Sequence, residues 1–308
     1  MTVKEKLQFI QQLAGLTQSE LASRLSVTFA ALNRWINFKS IPRKKMLQKI
    51  DKLYLEYSGE KKIPQSVPDA KRELIFRKQK LHNNALKEIL DNPDILDQFL
   101  LSLTYHSNGI EGSSLTQNET AAILFRNAAL PNKNLVEQLE AKNHETALRY
   151  LFNYLTTKKP INEMLILKLQ GILLSAIRAD AGNYRNHPVR ITGAYVPTAN
   201  HLKIPNLIKE LIRDLHHSKQ NVVAKSALFH SCFEQIHPFA DGNGRIGRLL
   251  MHAMLLNANL PPAVILQKNR RFYNLYLNKA QMKEDFGGLE DFIVAAILEG
   301  YKILERML

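Results

Sequence analysis

His237-Pro238-Phe239-Ala240-Asp241-Gly242-Asn243-Gly244-Arg245-Ile246-Gly247-Arg248 is the stretch on which the reading of this chain turns. Ile236 ends an apolar helical run and Pro238 forces an exit, so His237 stands at a helix C-terminus. Such a position favours the protonated imidazole and helps tune a base near neutral pH. Asp241 is a hard oxygen donor suited to Mg²⁺, an ion that keeps its waters and its substrate phosphates. Gly242-Asn243-Gly244 tolerates the unusual φ values that turn successive N–H groups toward an anion at the start of the next helix. Arg245 and Arg248, three residues apart on that helix, project toward one side, and guanidinium forks match phosphate oxygens.

Working outward, the 308 residues are 45% apolar and 23% charged, enough for a sizeable core and more than one domain. No apolar run approaches the roughly 20 residues of a membrane span. The first twenty residues lack a signal-peptide core and cleavage site, so a cytoplasmic protein with no membrane partner is expected. The single cysteine, Cys232, excludes an intramolecular disulfide and a multi-cysteine zinc site, and its apolar neighbours predict a buried, inert thiol. The net charge of +14 is uneven. Residues 1–80 hold 17 Lys and Arg against 7 Asp and Glu, while the remainder holds 25 against 21. Either the N-terminal part touches a polyanion or the excess serves solubility.

The apolar periodicity is helical nearly throughout. Leu7, Ile10 and Leu13 open one helix, and Thr17 with Glu20 forms the capping box of a second. Thr28 caps a third through Leu32, Trp35 and Ile36, with Trp35 read as core. A fourth follows Pro42. The pattern predicts a small domain over 1–57, a polar linker with two prolines over 58–70, and a larger helical domain over 71–308. In the latter, helices are expected over 135–155, 161–177, 205–217, 222–236, 244–257, 270–282 and 289–308. Val189-Arg190-Ile191-Thr192 and Ala194-Tyr195-Val196 alternate around Gly193, which predicts a short β-hairpin in an otherwise α protein.

Two decoys lie in the loop. Gly242-x-Gly244-x-x-Gly247 matches a dinucleotide fingerprint, but no strand precedes it and no ribose-binding acid follows. His230, Glu234, His237 and Asp241 have helical spacing that imitates a metal cluster. Pro238 breaks that helix and two arginines would repel a bare cation, so a structural His230 and Glu234 is the simpler reading.

Residues 15–35 resemble a phage-repressor-type helix-turn-helix, whose second helix reads the major groove from its N-terminus. The resemblance implies DNA as a partner, base contacts from Thr28, Phe29, Ala30, Asn33 and Arg34, and phosphate contacts from Gln18, Lys39, Arg43, Lys44 and Lys45. Such modules commonly dimerise, which makes a homodimer a candidate assembly. A four-helix interaction module with a merely solvated basic face is the bland alternative.

The opening loop is similar to the signature of the Fic family, HxFx(D/E)GNGRxxR, with every fixed position present. The resemblance covers roughly residues 90–300 and implies transfer of AMP from ATP to a Ser, Thr or Tyr hydroxyl of a target protein, with pyrophosphate released. Carried over by position, His237 is the base, Asp241 holds Mg²⁺, and Gly242, Asn243 and Gly244 line the anion hole. Arg245 and Arg248 neutralise phosphates beside Gly247, and Phe239 seats the loop. The hairpin resembles the family's flap, which places Thr192, Gly193, Ala194 and Tyr195 over the nucleotide and offers an edge to the target segment. Residues 269–273 resemble the region closing on adenosine, which assigns Tyr273 to that wall and leaves Phe272 and Tyr276 to the core.

Ser107-Asn108-Gly109-Ile110-Glu111-Gly112 looks like the family's inhibitory motif, (S/T)xxxE(G/N). It implies that Glu111, helped by Ser107 on a helix near 105–112, pairs with Arg248 and misplaces the ATP γ-phosphate. Gly109 replaces the alanine often found there and is expected to loosen that helix. The target protein is not legible, and this chain itself is one candidate. The alternatives are a DNA-binding regulator whose Fic core senses nucleotide, and removal of AMP by the same site.

Overall fold

The computed structural model describes residues 1–58, 66–190 and 196–306. The chain forms two compact units, Met1–Lys78 and Gln79–Leu308. Among the described residues every regular element is a helix.

In the first unit α1 (Val3–Ala14) and α2 (Gln18–Leu25) both open on complete capping boxes, Thr2 with Glu5 and Thr17 with Glu20. Ser26, at φ 58°, turns the chain from α2 into α3 (Phe29–Ile36), which Thr28 caps. The fourth helix, α4 (Lys44–Ser58), packs against α1. Leu7, Ile10, Leu21, Leu25, Leu32, Ile50 and Tyr54 are fully buried between these four helices. Lys6 donates to Asp51 at 2.5 Å, and Lys49 donates to the Leu25 carbonyl at the end of α2. Trp35 is half-buried.

Residues 59–65 of the expected linker lie outside the described residues. Apart from Ser66, its remainder is helical, because Ser58 ends α4 and α5 (Val67–Leu81) already starts at Val67. Pro68, read as a breaker, occupies the first helical turn, where proline has no intrahelical bond to lose.

The second unit runs α6 (Ala85–Asp91), α7 (Pro93–Glu111), α8 (Gln117–Arg126), α9 (Leu135–Thr156), α10 (Glu163–Leu173), α11 (Ile204–His217), α12 (Val222–Ile236), α13 (Asn243–Asn257), α14 (Arg270–Lys283) and α15 (Gly287–Leu304). Its axis is α13, in which every residue from Arg245 to Leu256 is buried. A helix that is covered on all sides belongs to the middle of a domain, and α12, α9, α10 and α7 surround this one. The apolar stretch from 161 to 177 is only partly helical, since α10 stops at Leu173 and Ala176 turns at φ 58°.

The expected hairpin is not seen. Val189, Arg190, Val196 and Pro197 carry no strand, and Ile191, Thr192, Gly193, Ala194 and Tyr195 lie outside the described residues. An isolated two-stranded hairpin is marginal without a third strand to pair with. A side-chain bond closes the neck instead, from the Thr198 hydroxyl to the Val189 carbonyl at 2.8 Å. Two further expectations are corrected. Phe272 is exposed rather than in the core, because α14 turns Tyr273 inward. Cys232 is only half-buried, although burial still pushes its thiol pKa up.

No helix among the described residues is long and apolar enough to cross a membrane. Leu249, fully buried on α13, gives the first test. Leu249→Ala should lower the unfolding free energy by about 2–5 kcal/mol, read from the urea midpoint at constant slope. A loss under about 1 kcal/mol would contradict the central place of α13.

Candidate active site

Three helix ends meet at the site. The C-terminus of α12 delivers His237, the N-terminus of α13 delivers the glycine-rich turn, and the C-terminus of α7 delivers Glu111. His237 is itself the αL cap of α12, at φ 51°, an uncommon conformation for a residue with a Cβ. Its Nδ1 lies 3.2 Å from the Glu234 carbonyl. A carbonyl only accepts, so Nδ1 carries the hydrogen and Nε2 keeps its lone pair. The expectation that the helix terminus would favour the protonated ring is corrected. Burial pulls the His237 pKa below its ordinary value, and Arg185 adds to this. The Glu234 carbonyl and the carboxylates of Glu111 and Asp241 only partly oppose them.

Asn243 holds the turn from inside. Its side chain accepts from the Phe239 N–H at 2.9 Å and donates to the Phe239 carbonyl at 2.8 Å, while the Phe239 ring is fully buried. Gly242 caps α13 at φ 83°, and its N–H donates to the Asp241 carboxylate at 2.6 Å. The amides of Asn243 and Gly244 belong to the first turn of α13 and have no intrahelical acceptor. The Asp241 side chain is about half exposed at 47%, the one carboxylate of the loop facing solvent.

The two arginines are buried and already committed. Arg245 donates to Glu140 of α9 at 2.6 Å and approaches Asp241 at 3.5 Å. Arg248 donates through Nη2 to Glu111 at 2.6 Å, and through Nε and Nη2 to the Ser107 hydroxyl and carbonyl at 2.9 and 3.1 Å. The Glu111 carboxylate also lies directly over Gly244, where any Cβ would collide with it. Burial opposes ionisation of Glu111, but Arg248 outweighs it and holds the carboxyl below its ordinary pKa. Its place at the end of α7 is unfavourable by helix dipole, while the start of α13 that it faces is favourable.

Around Arg248 the other titratable groups are neutral. Burial, helped by Arg248, lowers His230 and His252 to about 3, and pushes His144 well down. Burial, then Glu111, raises Glu234 to about 8, so it is a neutral acid at pH 7. Two residues are thereby reassigned. Gly247 faces α12, because a Cβ there would strike the His230 ring and the Glu234 carboxyl; it serves helix packing. Tyr273 is 2% exposed, bonded through its hydroxyl to His230 at 2.5 Å, with its ring 6.0 Å from the Arg248 guanidinium. It backs the arginine and offers no open face to a ligand.

Sequence reasoning missed Glu140, Arg185 and Gln267 as partners. It also read Gly109 as a loosening element. The glycine instead leaves a notch that the Gln267 amide fills, and Gln267 donates to the Tyr105 hydroxyl at 2.6 Å. Its main-chain N–H lies 3.4 Å from His106 Nδ1, so α7 is tied to the turn before α14. In the first unit Thr28, Phe29 and Ala30 are exposed at the start of α3 and Arg34 is exposed in its last turn; Lys39, Arg43, Lys44 and Lys45 are exposed as well. Asn33 is half-buried and lies between Gln18 at 3.4 Å and Asn37 at 3.0 Å.

Comparison with known proteins places this geometry in a class. Residues 160–255 match the Fic/DOC family, and residues 8–54 match a helix-turn-helix family. The chain therefore carries a Fic/DOC domain preceded by a helix-turn-helix domain. It is similar to the protein adenylyltransferase Fic of Nematostella vectensis, 33% identical over 193 residues, which are 61% of this chain and 44% of the relative. A relative of the same description from Drosophila melanogaster is 33% identical over 178 residues, 57% of this chain and 36% of its own length. The chain thus spans less than half the length of these curated relatives. Among solved structures, Fic-1 from C. elegans superposes with a TM-score of 0.67 at 19% identity, over 97% of this chain and 87% of that one. A Fic domain protein from Bacteroides thetaiotaomicron gives 0.62 at 24% identity, over 72% and 98%. At these identities the likeness is one of fold.

Two outcomes are expected. The folded-state values of His230 and His252 lie below the ordinary 6.5, so on acidification the unfolded chain takes up their protons first. Their contribution to stability is complete above pH 6.5 and is lost progressively as pH falls toward 3. His252→Gln should make stability fall less steeply over that window, by up to about 1.4 kcal/mol per pH unit. Urea unfolding from pH 7 to 4 measures it, and an unchanged slope would contradict a neutral buried His252. Separately, Gly109→Ala and Gln267→Ala should be coupled. The double variant should exceed the sum of the singles by about 0.5–3 kcal/mol of stability, and strict additivity would show that Gln267 does not fill the notch.

Proposed function

We propose that the Fic/DOC unit transfers AMP from ATP to a Ser, Thr or Tyr hydroxyl of a protein, and that Glu111 restrains it. The observation that carries this reading is the Glu111 carboxylate, which pairs with Arg248 at 2.6 Å and covers Gly244 at the start of α13. A carboxylate on an arginine at a helix N-terminus occupies the ground on which a phosphate would stand.

The reaction follows from the loop. His237 Nε2, unprotonated and free of the Glu234 carbonyl that engages Nδ1, takes the proton of the target hydroxyl. The oxygen attacks the α-phosphorus, the bond to the β-phosphate bridging oxygen breaks, and pyrophosphate leaves. The amides of Asn243 and Gly244 receive the phosphate charge. Arg248, released by Glu111, faces the γ-phosphate. Arg245, held by Glu140, orients Asp241. Asp241 suits Mg²⁺, being a half-exposed carboxylate on an arginine-lined loop with room for waters and phosphates. That ion, when bound, supplies positive charge to the phosphates. The Drosophila and Nematostella relatives named as adenylyltransferases support the activity at the level of the domain.

For the first unit we propose DNA binding. The exposed Thr28 and Phe29 at the start of α3 and the exposed Arg34 in its last turn support it, with the exposed Lys39, Arg43, Lys44 and Lys45 as phosphate contacts.

Glu111→Gly should convert a nearly silent protein into one that adds the mass of AMP to itself or to a protein target in ATP and Mg²⁺. Adding His237→Ala should abolish the gain, with intact-mass spectrometry as the readout. No mass gain in the single variant would sink the proposal. For the first unit, affinity for duplex DNA should fall steeply with salt, and Arg34→Ala should weaken it by about 1–3 kcal/mol. Equal affinities for the variant and the parent would remove Arg34 from the interface.

A further inference from the structure

We infer that Arg185 is the positioning residue of the general base: it grips the main chain on both sides of His237 and at both roots of the 188–198 segment, fixing the base from outside its own loop. The inference rests on the reading of His237 as that base.

Arg185 is 3% exposed, yet among the described residues its side chain donates only to main-chain carbonyls. Nε donates to the His237 carbonyl at 2.7 Å, and Nη2 donates to Ile236 at 3.4 Å and Ala199 at 2.5 Å. Nη1 donates to His187 at 2.7 Å. Its own main-chain N–H donates to the Pro238 carbonyl at 3.0 Å. The carbonyls of Ile236, His237 and Pro238 are thus all met by one residue. A buried charge without a counter-ion is costly, so its use here points to a specific task.

That task follows from the shape of the exit from α12. His237 stands in the αL region at φ 51°, where glycine is the usual occupant. The last carbonyls of a helix need donors, and here the guanidinium supplies them across 51 or 52 positions of chain. With those carbonyls held, the imidazole cannot rotate with its peptide. The same fork holds His187 and Ala199, which flank the neck closed by Thr198 and Val189. A lysine could not reproduce this, because an ammonium is a point donor and the carbonyls are spread across a planar fork.

The charge of Arg185 has a second effect. The groups facing His237 are Arg185 from the loop after α10, Glu111 from α7, Asp241 from its own loop and the Glu234 carbonyl from α12. Among them Arg185 alone opposes the protonated ring, together with burial. Its removal moves the His237 midpoint up.

The test uses the full chain with Glu111→Gly, so that turnover is readable. Arg185→Met should cut kcat for AMP transfer about a hundredfold, as expected for a misplaced base, while KM for ATP stays within about threefold. The acid limb of its pH profile should move up. Arg185→Lys should return that limb toward the parent, since the charge remains, but recover little of kcat, since the fork is lost. A ¹⁵N-histidine titration of His237 by NMR reads the same midpoint without turnover. A Glu111→Gly protein that transfers no AMP would therefore strike the functional reading and still leave Arg185 decidable. Parent-like kcat and midpoint in a folded Arg185→Met protein would overturn the inference. Should that variant fail to fold by thermal melting, parent-like kcat in Arg185→Lys would overturn it.

Discussion

A guanidinium that cannot lose its proton, sealed in the middle of a helical domain, sets the terms for everything near it. Arg248 has 3% of its surface left to water. A permanent buried cation is tolerable only if acceptors surround it and no second cation comes close. Ser107 and Glu111 are the acceptors. The three histidines around it are kept uncharged, Tyr273 covers it with the face of a ring, and α12 approaches closely because residue 247 has no side chain. The chemistry of the loop inherits this arrangement. A charge matched to a phosphate is ready-made, and in this state an internal carboxylate answers it.

The site is also a meeting of helix ends. Two C-termini, those of α7 and α12, point toward one N-terminus, that of α13. Helix N-termini attract anions and C-termini offer carbonyls. The carbonyls at the α12 end are taken by Arg185, and the last residue of α7 is the acid that faces the α13 amides. The polarity of the site thus comes from backbone placement, and side chains trim it.

The twelve-residue loop was readable because its parts are local. The proline exit, the glycine turn and the arginines at 245 and 248 declare themselves within one helical turn of each other. The capping box at Thr17 was readable for the same reason. What escaped was non-local. Glu140 is 105 positions from Arg245, and Gln267 is 162 positions from Tyr105, so neither pair leaves a trace in spacing. Gly247 and Tyr273 were placed on the ligand side because periodicity reveals that a helix has faces without saying which neighbour each face meets. The alternation at 189–196 resembled strand, whereas its described ends, Val189, Arg190 and Val196, carry none. Gly109 was read through its backbone alone, and the space that it leaves to the Gln267 amide was not foreseen.

Gly112 closes α7 at φ 111°, one residue after Glu111, with its N–H bonded back to Asn108 and Gly109. The terminal turn of a helix is the portion that frays at least free-energy cost. Glu111 therefore rides on the part of α7 that opens without unfolding the rest, while Ser107, a turn earlier, still holds the arginine. Detachment becomes a matter of a single turn breathing, governed by the hydrogen bonds of the cap. Under the proposed restraint, the quiescent state is an equilibrium with a shallow exit, and its leakiness is a quantity that changes in the last turn can set independently of the chemistry.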